Sequence, residues 1–117
     1  MFSEEIIANK AESYYGAIRA NTGVFAQESS DNWNRKIVLG LSDMIVKIWN
    51  EWKSDTRHYS PSKMRYEEYL DTVKRAERRL DPEGSGYEVA QAVIRDCKRF
   101  LKLVVLYRVR NGKCRVM

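Results

Sequence analysis

The feature that most constrains this chain is a long uninterrupted run near its C-terminal end. The stretch from Tyr87 to Asn111 contains neither proline nor glycine, and Gly112 follows it, where a helix usually ends in a left-handed residue. Ser85 and Glu88 have the spacing of a capping box at a helix start. Three- and four-residue steps, which are typical of one helix face, separate Val89, Val93, Phe100, Leu101, Val104 and Tyr107. The pattern predicts a helix over 86–111.

The opposite side of this predicted helix is cationic. At 100° per residue, one arc of roughly 100° carries a polar set of side chains. These are Gln91, Arg95, Lys98, Arg99 and Lys102. The chain beyond them adds Arg108, Arg110, Lys113 and Arg115. From Ile94 to Met117 there are eight Lys or Arg residues and one acid, Asp96, which gives a charge of +7.

Three further helices precede this one. Ser3 is the expected cap of a helix over 3–21, which the Thr22-Gly23 pair should end. Ser30 or Asp31 is expected to cap a helix over 31–53, and Pro61 stands in the first turn of a helix over 61–80. In the connector that follows the first helix, we expect the apolar residues Val24 and Phe25 to lie under the bundle.

The second helix carries an apolar face that is broad enough for two neighbours. Its three tryptophans, Trp33, Trp49 and Trp52, recur at helical spacing and are expected in the core. Gly40 lies in the middle of the helix, where glycine costs roughly 1 kcal/mol relative to alanine. We therefore expect another helix to approach closely at Gly40.

All long segments have helical periodicity, and none alternates with period two. The sequence predicts an all-α protein, an antiparallel four-helix bundle formed as a single domain over residues 1–117, with the second and fourth helices as its central pair. No apolar run approaches the roughly 20 residues of a membrane span. Acidic rather than basic residues stand near the N-terminus, so no secretion signal is expected.

Few residues of the types used in catalysis or metal binding are present. Cys97 and Cys114 are the only cysteines, and they fit no CxxC or Cys/His pattern. We expect two free thiols and a cytoplasmic location. His58 is the only histidine and is expected on the surface. No nucleophile elbow or glycine-rich phosphate loop occurs, so we predict a protein that is not an enzyme and needs no metal or cofactor.

One acidic group leaves a hydrolase as the least favoured alternative. Glu67, Glu68 and Asp71 are one turn apart, a spacing that suits a divalent ion in a bundle. Such sites need a second acidic pair on a facing helix, and the fourth helix offers only Glu88 and Asp96, on different faces. The ordinary interpretation is a solvated surface on which Asp71 pairs with Arg75 at i,i+4.

The charge is distributed unevenly along the chain. Residues 1–55 hold six Lys or Arg and eight acids, whereas residues 56–117 hold fifteen and eight, which gives −2 and +7. On the third helix, like-charge pairs at i,i+4 cost stability without helping the fold. These pairs are formed by Lys74, Arg75, Arg78 and Arg79. If this helix neighbours the fourth, the two cationic arcs merge into one surface.

The leading hypothesis is a module that binds the backbone of DNA or RNA through this surface, as an accessory or subunit of a nucleoprotein complex. Tyr66, Tyr87 and Tyr107 are available to stack on bases if they are exposed. The alternative is a protein-binding regulator or inhibitor of phage or mobile-element type, whose basic surface meets an acidic protein of a host nucleic-acid machine. An oligomer is compatible with either hypothesis.

Overall fold

A computed structural model describes residues 4–54 and 63–110, with side chains over 6–52 and 66–104. Its four helices are α1 (Glu4–Phe25), α2 (Trp33–Ser54), α3 (Lys63–Arg79) and α4 (Tyr87–Arg110). The predicted all-α class and the antiparallel four-helix bundle are confirmed. The predicted starts at residues 3 and 61 and the predicted end at 111 lie outside the described residues.

The helices pack around α4. The interface between α1 and α4 is the most extensive, whereas the one between α2 and α3 is the smallest. Both α2 and α4 contact the other three helices, and α1 and α3 make no contact within the described part of the chain. The predicted contact between α2 and α4 is therefore confirmed, and it crosses the diagonal of the bundle.

The core is formed by the apolar stripes that the periodicity predicts. It is aliphatic along most of its length, with Phe25 and Phe100 as its largest fully buried side chains. Aromatic rings join three helices at one level, where Tyr15 of α1 stacks on Trp49 of α2 with centroids 4.7 Å apart. Phe100 of α4 packs against both rings, at 6.4 and 6.1 Å. Roughly 25 cal/mol of stabilisation per Å² of buried apolar surface makes such packing the main source of stability.

The first helix is longer than the sequence predicts. It continues through Thr22 and Gly23 to Phe25, because the Thr22 hydroxyl donates to the Ile18 carbonyl (2.6 Å) and is satisfied within the helix. Phe25 is fully buried as expected, but Val24 is 55% exposed, so the expected burial of Val24 is wrong. Burial of Phe25 in the core favours one further helical turn beyond Asn21.

The second helix begins later than predicted, and its cap is a different residue. The Asn32 side-chain oxygen accepts from the Arg35 backbone N–H (3.0 Å), and α2 starts at Trp33. The prediction of Ser30 or Asp31 as the cap is wrong. Asn32 also donates to Glu28 (3.2 Å), which links the cap to the α1–α2 connection.

The start of α4 also differs from the capping-box prediction. The Ser85 hydroxyl donates to Glu28 (3.0 Å) rather than capping the helix, and α4 begins at Tyr87. Gly86 precedes it with φ +78°, and a Cβ there would lie 2.6 Å from the Phe25 ring. The left-handed backbone and the close ring both require glycine at this position.

Buried Asn34 ties the start of α2 to the α3–α4 connection. Its side-chain oxygen accepts from the Asp81 N–H (2.8 Å), and its amide donates to the Asp81 carbonyl (3.0 Å). The amide also lies 3.4 Å from the Ser85 carbonyl. The α3–α4 connection is thereby fixed to the start of α2 by hydrogen bonds.

Two predictions about α2 are wrong. Trp33 is 42% exposed, although Trp52 is buried and Trp49 is half-buried as expected. Gly40 is exposed, and a Cβ built on it meets no atom within 4 Å. None of the described helices approaches Gly40, because α3 stands away from this side of α2 and leaves a groove.

Candidate nucleic-acid interface

The four cations of α3 that the sequence assigns to binding lie on its outer face. Val73 and Leu80 are buried, and Ala76 is half-buried against the core. This inward stripe turns the intervening positions toward solvent. All four predicted side chains of this helix are exposed: Lys74, Arg75, Arg78 and Arg79.

Four of the cations predicted on α4 lie on its outer side for the same reason. Val93, Cys97 and Phe100 are fully buried on the inward side of the helix. The outward positions carry the predicted residues, of which Lys98 is half-buried and the rest are exposed: Arg95, Lys98, Arg99 and Lys102. We call these four, together with Lys74, Arg75, Arg78 and Arg79, the basic band.

An ion pair joins the two halves of the basic band. The Lys98 ammonium lies 2.7 Å from the Glu77 carboxylate, across the α3–α4 interface. Because these neighbouring helices run antiparallel, residues before 77 lie level with residues after 98. This register sets Lys74 level with Lys102 and Arg78 level with Lys98, so the predicted merging of the two arcs is supported by the packing of the two helices.

Two arginines mark the margins of the basic band. Arg99 lies over the ring of Tyr14 of α1, 5.9 Å from its centroid. Arg79 lies over the ring of Trp33 of α2, at 5.1 Å. These cation–π contacts hold both guanidinium groups beside the neighbouring helices, so the basic band extends across the outer faces of α3 and α4 from one flanking helix to the other.

Half of the cations in the basic band have neither an anionic nor an aromatic partner within the described chain. The expected Asp71–Arg75 pair is present at 3.5 Å, with both side chains 61% exposed, and Lys98 pairs with Glu77. Eight cations and these two acids leave a charge of +6. No ion pair within residues 6–52 and 66–104 involves Lys74, Arg78, Arg95 or Lys102.

The tyrosines and the remaining cations that the sequence assigns to binding are not part of the basic band. Tyr66 and Tyr87 are half-buried and pack against the core, which leaves only part of each ring for stacking. The side chain of Tyr107 lies outside the described residues. So do the side chains of the remaining predicted cations, which are Arg108, Arg110, Lys113 and Arg115.

The one described cysteine is free and chemically protected. Cys97 has no exposed surface. Burial raises the pKa of its thiol from 9.0 to about 12, and the neighbouring Asp96 carboxylate adds to the rise. The thiol is therefore protonated near neutral pH and is a poor nucleophile or metal ligand. Cys114 lies outside the described residues, as does His58.

The acidic side chains of α3 form no metal site in the described chain. Glu67, Glu68 and Asp71 are exposed. No group of three or more His, Cys, Asp or Glu side chains within the described residues is placed to hold a metal ion. On the facing helix Glu88 is exposed, whereas Asp96 is only 8% exposed.

A groove between α2 and α3 is the feature that sequence reasoning missed. It has a volume of about 620 Å³ and lies beside the Arg79 margin of the basic band. We call it the α2–α3 groove, and its lining comprises Trp33, Lys36, Ile37, Gly40, Leu41, Met44, Thr72, Arg75, Ala76 and Arg79. The mid-helix glycine was the available signal, since it marks either a close contact or an open surface.

Comparisons with known protein families, curated proteins and solved structures find no match for this chain. None of the described helices combines the length and the apolar character that crossing a membrane requires.

Proposed function

We propose that this protein is a non-enzymatic helical module that binds the phosphate backbone of nucleic acid through the basic band, as an accessory or subunit of a nucleoprotein complex. The observation that carries the proposal is the set of four cations without an anionic partner, placed side by side on α3 and α4. These are Lys74, Arg78, Arg95 and Lys102.

The electrostatics of the basic band favour a polyanionic ligand. Like charges on neighbouring turns repel each other and cost a few tenths of a kcal/mol per pair, which the fold does not recover. A phosphate backbone relieves that repulsion and releases its own counterions on binding. The partial fixing of Arg79 and Arg99 on aromatic rings reduces the side-chain entropy that binding would cost.

The dimensions of the basic band suit a short stretch of backbone. At 1.5 Å per residue, the cations extend about 8 Å along α3 and about 11 Å along α4. That length corresponds to roughly three phosphates of one strand at 3.4 Å each. Backbone contacts of this kind position a protein without reading sequence, so we expect similar affinity for different sequences.

A double charge reversal tests the proposal. Arg95→Glu with Lys102→Glu removes two exposed cations that make no ion pair in the described chain, so the fold should be retained. Binding to single- and double-stranded DNA and RNA is then measured at several salt concentrations. The slope of the logarithm of the binding constant against the logarithm of the salt concentration should become shallower by roughly 0.7 to 0.9 per lost contact.

The matched control is Lys36→Glu with Lys47→Glu, which makes the same change in charge on exposed positions of α2. It should retain the slope and most of the affinity. Absence of binding to every nucleic acid near physiological salt, or equal losses in the two double variants, would contradict a role for the basic band.

A protein-binding regulator or inhibitor, of phage or mobile-element type, is the second candidate function. The observation that favours it is the α2–α3 groove with its exposed Trp33, a residue type that is enriched in protein interfaces. Under this function the basic band meets an acidic protein, and a stable protein partner co-purifies while free nucleic acids bind weakly.

A further inference from the structure

The α2–α3 groove is an exposed apolar surface that the proposed phosphate contacts leave unused. Its floor is largely aliphatic, with Ile37, Leu41 and Met44 on α2 facing Ala76 on α3. Its volume of about 620 Å³ falls within the range of roughly 300–1,000 Å³ that is typical of binding pockets. The groove follows the two helices, so its shape suits an elongated apolar ligand.

Gly40 opens the floor of the groove to the backbone of a ligand. Glycine in a helix interior is less favourable than alanine, and no contact within the described part of the bundle requires it here, because a Cβ would meet none of the described atoms within 4 Å. The missing side chain allows another backbone to approach α2 closely, which is a common use of glycine at helix contacts. The third helix does not use this opening.

The charges around the groove favour a negatively charged ligand. Three of its lining residues are cationic, Lys36, Arg75 and Arg79, and none is acidic. Trp33 stands at one end with its indole N–H donating to the Arg79 carbonyl (2.6 Å), which fixes the ring while leaving it 42% exposed. A fixed, partly exposed tryptophan beside arginines has the composition of a binding hot spot.

We propose that the α2–α3 groove binds an acidic amphipathic helix of a partner protein. Apolar side chains at i, i+3 or i+4, and i+7 of that helix would cover the aliphatic floor, and its carboxylates would face the cationic rim. This inference is independent of the proposed nucleic-acid binding, although Arg75 and Arg79 belong to both surfaces.

The rim disfavours the other occupants. A second copy of this chain, related by twofold symmetry, would set the same three cations against themselves. The end of this chain carries Lys113 and Arg115, which would add like charge to the rim. Nucleic acid suits the positive rim but gains little from an aliphatic floor, since bases bind best to aromatic faces.

The test uses designed helical peptides of about 18 residues, stapled so that they remain helical in isolation. One panel places leucine or phenylalanine along one face and glutamate on the other. Two matched panels replace every glutamate by lysine, or every apolar residue on the binding face by alanine. Binding is followed by NMR through the Trp33 indole N–H, with the indole N–H groups of Trp49 and Trp52 as internal references.

Two variants make the test specific to the groove. Gly40→Leu fills the floor and should weaken the binding of the acidic peptides at least roughly tenfold. Gly16→Leu introduces the same side chain on α1, where a Cβ also meets nothing within 4 Å, and should leave binding unchanged. Trp33→Ala, whose peptide affinity is measured by isothermal titration calorimetry, should lower affinity by roughly 30-fold, the scale of a hot-spot residue.

Acidic peptides that perturb Trp33, lose affinity in Gly40→Leu and bind more tightly than both matched panels support the proposal. It is overturned if no acidic peptide binds below about 1 mM, if lysine peptides bind as well, or if Gly40→Leu binds like the wild type. Dimerisation that Gly40→Leu abolishes would overturn it in favour of a second copy of this chain. Peptide binding that appears only after residues 111–117 are deleted would overturn it in favour of the end of this chain.

Arg95→Glu with Lys102→Glu should leave peptide binding unchanged, because neither side chain lines the groove. This double variant separates the failure of one proposal from the failure of the other.

Discussion

The two margins of α2 carry similar apolar residues but have different surroundings. On one margin Trp49 and Trp52 lie against each other, and Trp49 packs on Tyr15 and Phe100, so that rings fill the space between α1, α2 and α4. On the other margin the α2–α3 groove leaves Trp33 42% exposed. Periodicity identifies both margins as apolar, but only the distance to the next helix decides whether a margin becomes core.

Different forces hold the two margins in place. Apolar burial stabilises the filled margin. The open margin depends on directional contacts at one end, where Asn34 binds the Asp81 backbone and Trp33 donates to the Arg79 carbonyl. Substitutions on the two margins should therefore change the free energy of unfolding by different amounts and, at one position, in opposite directions.

The largest expected effect is on the filled margin. Phe100→Ala removes a fully buried ring that packs against both Tyr15 and Trp49, and should lower the free energy of unfolding by about 3–5 kcal/mol. Met44→Ala in the open groove should cost about 1 kcal/mol, because its side chain is already half exposed to water. Urea unfolding followed by circular dichroism measures both, and similar costs would remove the distinction between the margins.

The next effect concerns the hydrogen bonds that anchor the open margin. Asn34→Ala removes a buried amide and leaves the Asp81 N–H and carbonyl without their side-chain partner, and should destabilise the protein by about 1–3 kcal/mol. Asn50→Ala is the control on the exposed side of α2 and should change stability by less than about 0.5 kcal/mol. Hydrogen exchange should show that the loss in Asn34→Ala is concentrated in α3 and the 80–86 connection; protection lost uniformly would argue against a local anchor.

A third effect tests whether the core excludes water from the Cys97 thiol. Because its pKa is raised from 9.0 to about 12 in the folded protein, the unfolded state loses the thiol proton first as pH rises. The stabilisation from this group is complete well below pH 9 and should fall by roughly 1 kcal/mol between pH 8 and pH 10. Cys97→Ala removes this term, so the difference in unfolding free energy between wild type and variant should shrink by that amount. A difference that is independent of pH would mean that the thiol titrates normally in the fold.

The sequence predicted the helices better than their ends. Stripes such as Val73–Leu80 and Val93–Phe100 follow from spacing alone, and so does the outward placement of the basic band. The end of α1 did not follow, because it depends on Phe25 packing beside Gly86, 61 residues later in the chain. Ser85 failed as a cap for a similar reason: Glu28, from another connection, binds its hydroxyl.

The basic band and the α2–α3 groove also differ in how far the sequence could predict them. The basic band could be predicted because exposed charges follow from helical phase, and its joining across Glu77 and Lys98 needed only the assumption that α3 and α4 are neighbours. The groove could not, since a glycine and a tryptophan at helical spacing are equally consistent with tight packing. Its existence depends on the separation of α2 and α3, which no local pattern encodes.

The most direct test of the open margin is the stability of Gly40→Leu. We expect the free energy of unfolding to stay the same or to rise by up to about 1 kcal/mol, because leucine favours the helix and its Cβ meets no atom of the described chain within 4 Å. Gly16→Leu on α1 should behave alike. A loss of about 1–3 kcal/mol in Gly40→Leu alone, the cost of overpacking, would show that α3 closes on α2 and would contradict the open groove.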